Sequence, residues 1–345
     1  MNYKVKRIYL ICLTCLLSIG AFAQTTNNID TLINQGIKLH DAGNYTEAIN
    51  KYEAALKINN NSTLANYEMA FSYYQLKDYE KTFAYCNKVF AYPEANEIID
   101  AYILSGNALD ITGKAEKAVE TYKTAIKTVK PTYLLYFNLA VTYFGMEQYD
   151  NAETEIINAL RLNSEHAASH LVLAKTMIQK GNRVKAVLAL YNFLLLGASG
   201  ERGTEAYKKL DELLKQGVTK SSEKTINITL GNSKDEFLTA EFMLSMIQAT
   251  NTSEANKLKT DAQLFAENTK LIFSTLAELK KERKGFWWNF YVDFYDQLVK
   301  SNNVEAFAYY ISLAKDDASV REWIKRNEES LKAMEQWYEK TERRF

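Results

Sequence analysis

A set of turn residues recurs along this chain at spacings of 34, 36, 34 and 34, and that period limits the fold more than any other feature. The set is Gly43, Lys77, Gly113, Glu147 and Gly181. Small positions keep the same phase: Ala48, Thr82, Ala118, Ala152 and Ala186, then Ala55, Val89, Ala125, Ala159 and Phe193. A third set runs Gly36, Ala70, Gly106, Ala140 and Ala174, and a bulkier one Tyr52, Cys86, Tyr122, Ile156 and Leu190. Small side chains at fixed spacing let two helix backbones approach closely, and the larger ones fill the gaps beside them. The clearest copy is Tyr133–His166, in which two amphipathic helical patterns flank a turn at 145–148. Only two prolines interrupt 345 residues, so helices are expected throughout.

The phase resembles the tetratricopeptide repeat, a 34-residue helix-turn-helix unit. Tyr136, Leu139, Ala140 and Tyr143 match the family's first helix, while Ala48, Tyr52 and Ala55, and again Ala118, Tyr122 and Ala125, match its second. Five units result, at 29–62, 63–96, 99–132, 133–166 and 167–200, covering about half of the chain. Unit two departs by placing Thr82 and Val89 at small positions. Phe193 in unit five suggests that the regular stack ends there. The resemblance implies an all-α fold, a right-handed superhelix of α-α repeats, followed here by a helical C-terminal domain.

Apolar residues at Tyr207, Leu210, Leu213 and Leu214 read as a helix over 204–217 that caps the last repeat. The stretch 218–235 reads as a linker with an extended alternation at Ile226–Leu230, too little to form a sheet alone. Helices are expected near 236–250, 253–282, 287–300, 304–315 and 318–341, with a capping-box spacing at Ser233–Glu236. Aromatics surround the stretch FWWNFYVDFY (286–295), so its helix is expected to be buried.

The N-terminus reads as an export signal: Lys4, Lys6 and Arg7, a 13-residue apolar run from Ile8 to Gly20, then Ala21-Phe22-Ala23. Cleavage after Ala23 is expected, and with it an exported bacterial protein, periplasmic, envelope-associated or secreted. The chain then divides into 24–217, 218–235 and 236–345, with no transmembrane segment left. Cleavage removes three of 42 basic residues and leaves 39 against 42 acidic, which gives no electrostatic case for nucleic acid. Cys86 alone remains of three cysteines and sits at a repeat core position.

No convincing catalytic constellation is present. His166 and His170 are four apart, yet the intervening residues are not those of a zinc-protease motif, and His40 is the only other histidine. Neither a metal nor a cofactor is expected, and no enzyme. In tetratricopeptide arrays the first helices line a concave groove. Carried over, the groove positions are Tyr67, Phe71, Tyr74, Ile103, Asn107, Phe137, Val141, Phe144, Leu171 and Lys175. This aromatic, weakly charged set suits an apolar helix or extended peptide, and the implied role is a protein-binding scaffold. The basic clamp known for acidic C-termini is missing from these positions. Two questions stay open on sequence grounds. The C-terminal helices either fold back over the groove or pack elsewhere. Trp287 and Trp288 either belong to a core or stack on a glycan or other small ligand.

Overall fold

The computed structural model describes residues 28–345 apart from 198, 223–224, 229–235, 252–255 and 257. The export signal and the Ser233 end of the expected capping box lie outside the described residues. The rest is helical save for one hairpin. Five consecutive helix pairs come first: α1 (28–41) and α2 (Tyr45–Ile58), α3 (Thr63–Gln75) and α4 (Tyr79–Phe90), α5 (Ile98–Ile111) and α6 (Ala115–Thr128), α7 (Tyr133–Gly145) and α8 (Tyr149–Leu162), α9 (Ala167–Gln179) and α10 (Arg183–Leu196). These follow the five units read from the sequence. The cap is α11 (Gly200–Lys215).

The turn between the helices of each pair is the same in all five. Gly43, Lys77, Gly113, Glu147 and Gly181 each have positive φ, from 59° to 80°. The next residue's N–H bonds back five positions, as in Asp78 to the Tyr73 carbonyl and Gln148 to that of Tyr143, both 2.9 Å. This is the Schellman ending, which satisfies carbonyls left open at a helix C-terminus and favours glycine at the left-handed position. Lys77 and Glu147 adopt that backbone with a Cβ, at a cost of about 1–2 kcal/mol. Lys77→Gly and Glu147→Gly are each expected to stabilise the chain by ~0.5–1 kcal/mol, less than the full strain because glycine frees the unfolded chain. Urea midpoints that stay put or fall would show that these turns carry no strain.

The small positions are the innermost. Ala48, Ala55, Ala118, Ala125, Ala152, Ala159 and Ala186 have no solvent exposure, nor do Thr82 and Val89. Thr82 fits because its hydroxyl bonds the Asp78 carbonyl one turn back, at 3.0 Å. In two repeats the small residue is glycine, and there the facing residue is tyrosine: a Cβ on Gly36 would lie 2.3 Å from the Tyr52 ring, and one on Gly106 2.3 Å from that of Tyr122. Where alanine stands, at 70, 140 and 174, the corresponding residue is Cys86, Ile156 or Leu190.

Beyond α11, β1 (Val218–Ser222) pairs antiparallel with β2 (Thr225–Ile228), Val218 opposite Ile228, with an irregularity between Lys220 and Ser222. The extended alternation of the sequence is thus one strand of a hairpin, where no sheet was expected. Then come α12 (Leu238–Thr250), α13 (Asp261–Lys280), a π-helical segment Trp287–Val292 continuing into α14 (Asp293–Lys300), α15 (Val304–Ser312), α16 (Ala318–Arg326) and α17 (Glu328–Glu339). Two boundaries differ from expectation. α13 starts at 261 because Thr260 and Gln263 close a capping box there. The last predicted helix is two, since Asn327 leaves helical geometry between them.

The described residues form two compact units that part between Thr142 and Tyr143, inside α7. The reason lies in α10. Its sequence VLALYNFLLL is apolar on every side, and Val184 and every residue from Ala186 to Leu194 are buried. One face packs on α9 and the others on C-terminal helices. Tyr191 lies at the hub: its ring meets Phe273 at 5.0 Å, Phe307 at 5.9 Å and Tyr295 at 6.1 Å, and its hydroxyl is 3.0 Å from that of Thr269. A helix with apolar residues all round requires partners on all sides. The fifth repeat is therefore the core of the second unit.

Candidate partner-binding surface

The groove positions divide between the units and are described in turn. In the first unit, α3 turns Met69 and Ala70 fully inward, while Tyr67, Phe71 and Tyr74 stay half-buried. Tyr67 stacks on Phe71 at 6.2 Å, Phe71 on the buried His40 ring at 4.5 Å, and Tyr74 meets the edge of Tyr79 at 5.8 Å. His40 is itself fixed, its Nδ1 2.8 Å from the Ser72 hydroxyl. Ile103, Asn107 and Phe137 are half-buried and Val141 is exposed. Asn107 is partly committed, because its Oδ1 accepts from the Tyr122 hydroxyl at 2.7 Å. Beside Tyr67, the Glu68 carboxyl is pushed up to about 7 by burial, opposed by the Tyr52 hydroxyl that donates to it.

In the second unit, three groove positions meet in one cleft of about 550 Å³: Phe144, Leu171 and Lys175. Ile178 extends its apolar floor, and Arg202, Glu205 and Lys209 of α11 form the opposite wall. The C-terminal helices of this unit pack elsewhere, on faces of α8, α9 and α10. Trp287 donates to Glu153 of α8 at 3.0 Å, and the Tyr295 hydroxyl to the Leu188 carbonyl of α10 at 3.0 Å. Within this unit those helices leave the cleft uncovered. Trp287 and Trp288 are interior residues, and Trp288 stacks on Phe237 at 4.3 Å and donates to Glu236. Neither indole presents a face to a sugar, so the alternative reading loses its stacking surface.

The pair His166 and His170 also resolves. His166 Nδ1 lies 2.8 Å from the Ser169 hydroxyl at the start of α9. His170 is fully buried, its Nδ1 2.6 Å from the Tyr291 hydroxyl and its Nε2 2.9 Å from the Ser164 carbonyl. Among the described residues, no cluster of three or more histidine, cysteine or acidic side chains is placed to hold a metal ion. Cys86 is buried, and burial alone pushes its thiol up to about 12, far from a reactive thiolate.

Burial holds the His170 imidazole down to about 3, helped by the nearby Arg343 and His166 and opposed by the Ser164 carbonyl. The sign of the pH effect follows. The unfolded chain takes up this proton below about 6.5, whereas the folded chain resists it until near 3. Stability from this group is therefore complete above 6.5 and lost as pH falls through that window, by up to ~1.4 kcal/mol per pH unit. The His170→Asn variant, less stable at pH 7, is expected to lose less on acidification to pH 4.5 than the parent. Parallel pH–stability curves in urea would disprove the assignment.

Models of the TPR repeat match residues 36–77, and models of the tetratricopeptide repeat match 99–128 and 133–166. The chain thus carries tetratricopeptide repeats, in an all-α architecture in which repeats precede further helices. Among curated relatives, it is similar to the BBSome complex member BBS4 of Bos taurus, 34% identical over 80 residues, 23% of this chain and 15% of that one. It is also similar to the TPR repeat-containing protein MJ1428 of Methanocaldococcus jannaschii, 26% identical over 170 residues, 47% of this chain and 30% of that one. The chain therefore spans less than a third of either relative. A solved structure of PilF from Pseudomonas aeruginosa aligns over 56% of this chain and 91% of its own, at 18% identity and a TM-score of 0.48.

The α11 wall of the cleft was missed in the sequence because that helix was assigned only a capping role. Its signal was legible. Arg202, Glu205 and Lys209, spaced by three and four, form a polar stripe beside the buried Tyr207, Leu210 and Leu214.

Proposed function

We propose that this protein is a non-catalytic scaffold that recruits a protein partner through the first helices of its repeats. We propose further that it works in the bacterial cell envelope after loss of residues 1–23. One observation carries the first part. The helices that fill the core with Met69, Ala70, Leu139 and Ala140 keep Tyr67, Tyr74, Phe137 and Val141 accessible on their remaining face. Apolar and aromatic groups that stay accessible on a well-packed scaffold are the material of binding hot spots, worth about 2 kcal/mol or more each.

The test is direct. Tyr74→Ala and Val141→Glu are expected to abolish recovery of the partner from envelope extract while leaving the melting temperature unchanged. Undiminished recovery would move the binding surface elsewhere. Export is tested by the intact mass of the protein isolated from its native envelope fraction. A mature N-terminus at Gln24 supports it, and an unprocessed chain confined to the cytosol overturns it. Among the described residues, no helix is long and apolar enough to cross a membrane.

A further inference from the structure

The cleft between α9 and α11 differs in charge from the groove positions of the first unit. Its floor is apolar, made by Phe144, Leu171 and Ile178. Lys175 stands on the α9 side. Arg202 and Lys209, seven residues apart and so on one face of α11, stand on the other. Glu205 is the single acid among the lining residues. Lys209 has a partner outside the cleft, Glu212 at 3.1 Å, but both side chains are about half exposed, and such a surface pair is readily exchanged. A neighbouring cleft of about 800 Å³ gives the contrast. There Arg183, Lys209 and Lys215 are balanced by Asp211, Glu212 and Glu241, so no sign of ligand is selected.

A cleft of about 550 Å³ falls within the range that holds a ligand, roughly 300–1,000 Å³. Cationic rims over an apolar floor set two demands on an occupant. It must bury apolar side chains, and it must carry carboxylates along its edges. Water meets neither, a simple anion at most the second, and a nucleic acid backbone leaves the floor uncovered. We infer that this cleft seats an acidic amphipathic peptide segment of the partner, its apolar side chains on Phe144, Leu171 and Ile178 and its carboxylates between Lys175 and the Arg202–Lys209 wall. The inference rests on the scaffold function proposed above and narrows it to one chemistry of partner.

The probe is a fluorescein-labelled amphipathic peptide of leucine and glutamate, with two controls that keep every leucine and carry glutamine or lysine for each glutamate. Anisotropy is read against the purified full chain. The glutamate peptide is expected to bind at least about ten-fold more tightly than the glutamine peptide and to weaken with added salt, and the lysine peptide is expected not to bind. The double variant Lys175→Glu, Arg202→Glu is expected to reverse the order of the glutamate and lysine peptides. Both residues are exposed, so circular dichroism and melting should match the parent.

Equal, salt-insensitive binding of the glutamate and glutamine peptides, untouched by the double variant, overturns the charge assignment while leaving the scaffold reading intact. Failure of the glutamate peptide to bind overturns the assignment as well, and the Tyr74 and Val141 variants then decide the scaffold reading alone. A chain that self-associates, and becomes monomeric in the double variant, gives the cleft to a second copy and overturns the inference.

Discussion

Arg183→Ala is expected to lower the unfolding free energy by about 3–5 kcal/mol, the largest effect of any single change considered. Arg183 opens α10 and is nearly buried. Its guanidinium donates Nε–H to the Leu213 carbonyl at 2.6 Å, Nη2–H to that of Leu214 at 2.9 Å, and Nη1–H to the Ser245 hydroxyl at 2.8 Å. The first two acceptors lie in the last turn of α11, where carbonyls lack partners within the helix and the dipole is negative. The third lies on α12, near the buried Glu241, whose charge favours the cation against the cost of its burial. One side chain thus ties the fifth repeat, its cap and the first C-terminal helix. Alanine leaves the Leu214 carbonyl unmet and removes the stronger of two donors from that of Leu213, which also accepts from the Gln216 N–H at 3.3 Å; an unmet buried acceptor costs about 1–3 kcal/mol. Arg183→Lys should recover only a small part, since an ammonium cannot reproduce the fork. Urea unfolding followed by circular dichroism measures all three proteins. A loss below about 1 kcal/mol for the alanine variant would show that water replaces the guanidinium there.

Gly106→Ala is expected to cost about 1–3 kcal/mol, against the usual gain from replacing glycine within a helix. The added methyl would sit 2.3 Å from Tyr122 Cζ and 2.7 Å from its hydroxyl oxygen. That ring has no exposure, and its hydroxyl is held by Asn107, so it has nowhere to turn. The second site is the informative one. Repeat five pairs Ala174 with Leu190, and both are buried without exposed surface beyond 1%. Tyr122→Leu alone should be destabilising through the cavity it leaves. In the Gly106→Ala background it should cost less, because the methyl fills part of that space. The double-mutant cycle is expected to give a coupling of about 1 kcal/mol or more, and additive effects would refute the pairing.

These two sites mark the range of what sequence could show. The Gly106–Tyr122 pairing was present in the phase itself, since small and bulky positions recur with the repeats and glycine faces tyrosine twice. The five turns were equally plain as turns, and their left-handed backbone is the same even at Lys77 and Glu147, because position in the repeat fixes it more firmly than residue type does. Arg183 was invisible. Its partners lie 30 to 62 residues away on helices whose packing no local pattern encodes. The same holds for α10. Nothing in its sequence shows that Phe265, Phe273, Tyr295 and Phe307 surround Tyr191. The burial of FWWNFYVDFY was legible, but its π-helical winding was not, since widening a turn by one residue depends on what packs against it. The groove positions were legible as positions through the family resemblance. The charge of the cleft was not, because half of it comes from α11.

The burial of α10 has one more consequence. A helical repeat ends in a face that fits the start of another repeat, so an unfinished array invites copies of itself to stack end to end into open-ended filaments. Here the face that would receive a sixth repeat is taken up by α11 and the aromatic helices from the chain's own C-terminus. Polymerisation from that end is blocked by the fold itself. The number of repeats is closed by packing, and lengthening the array by inserting a unit after the fifth would first require dismantling the core around Tyr191.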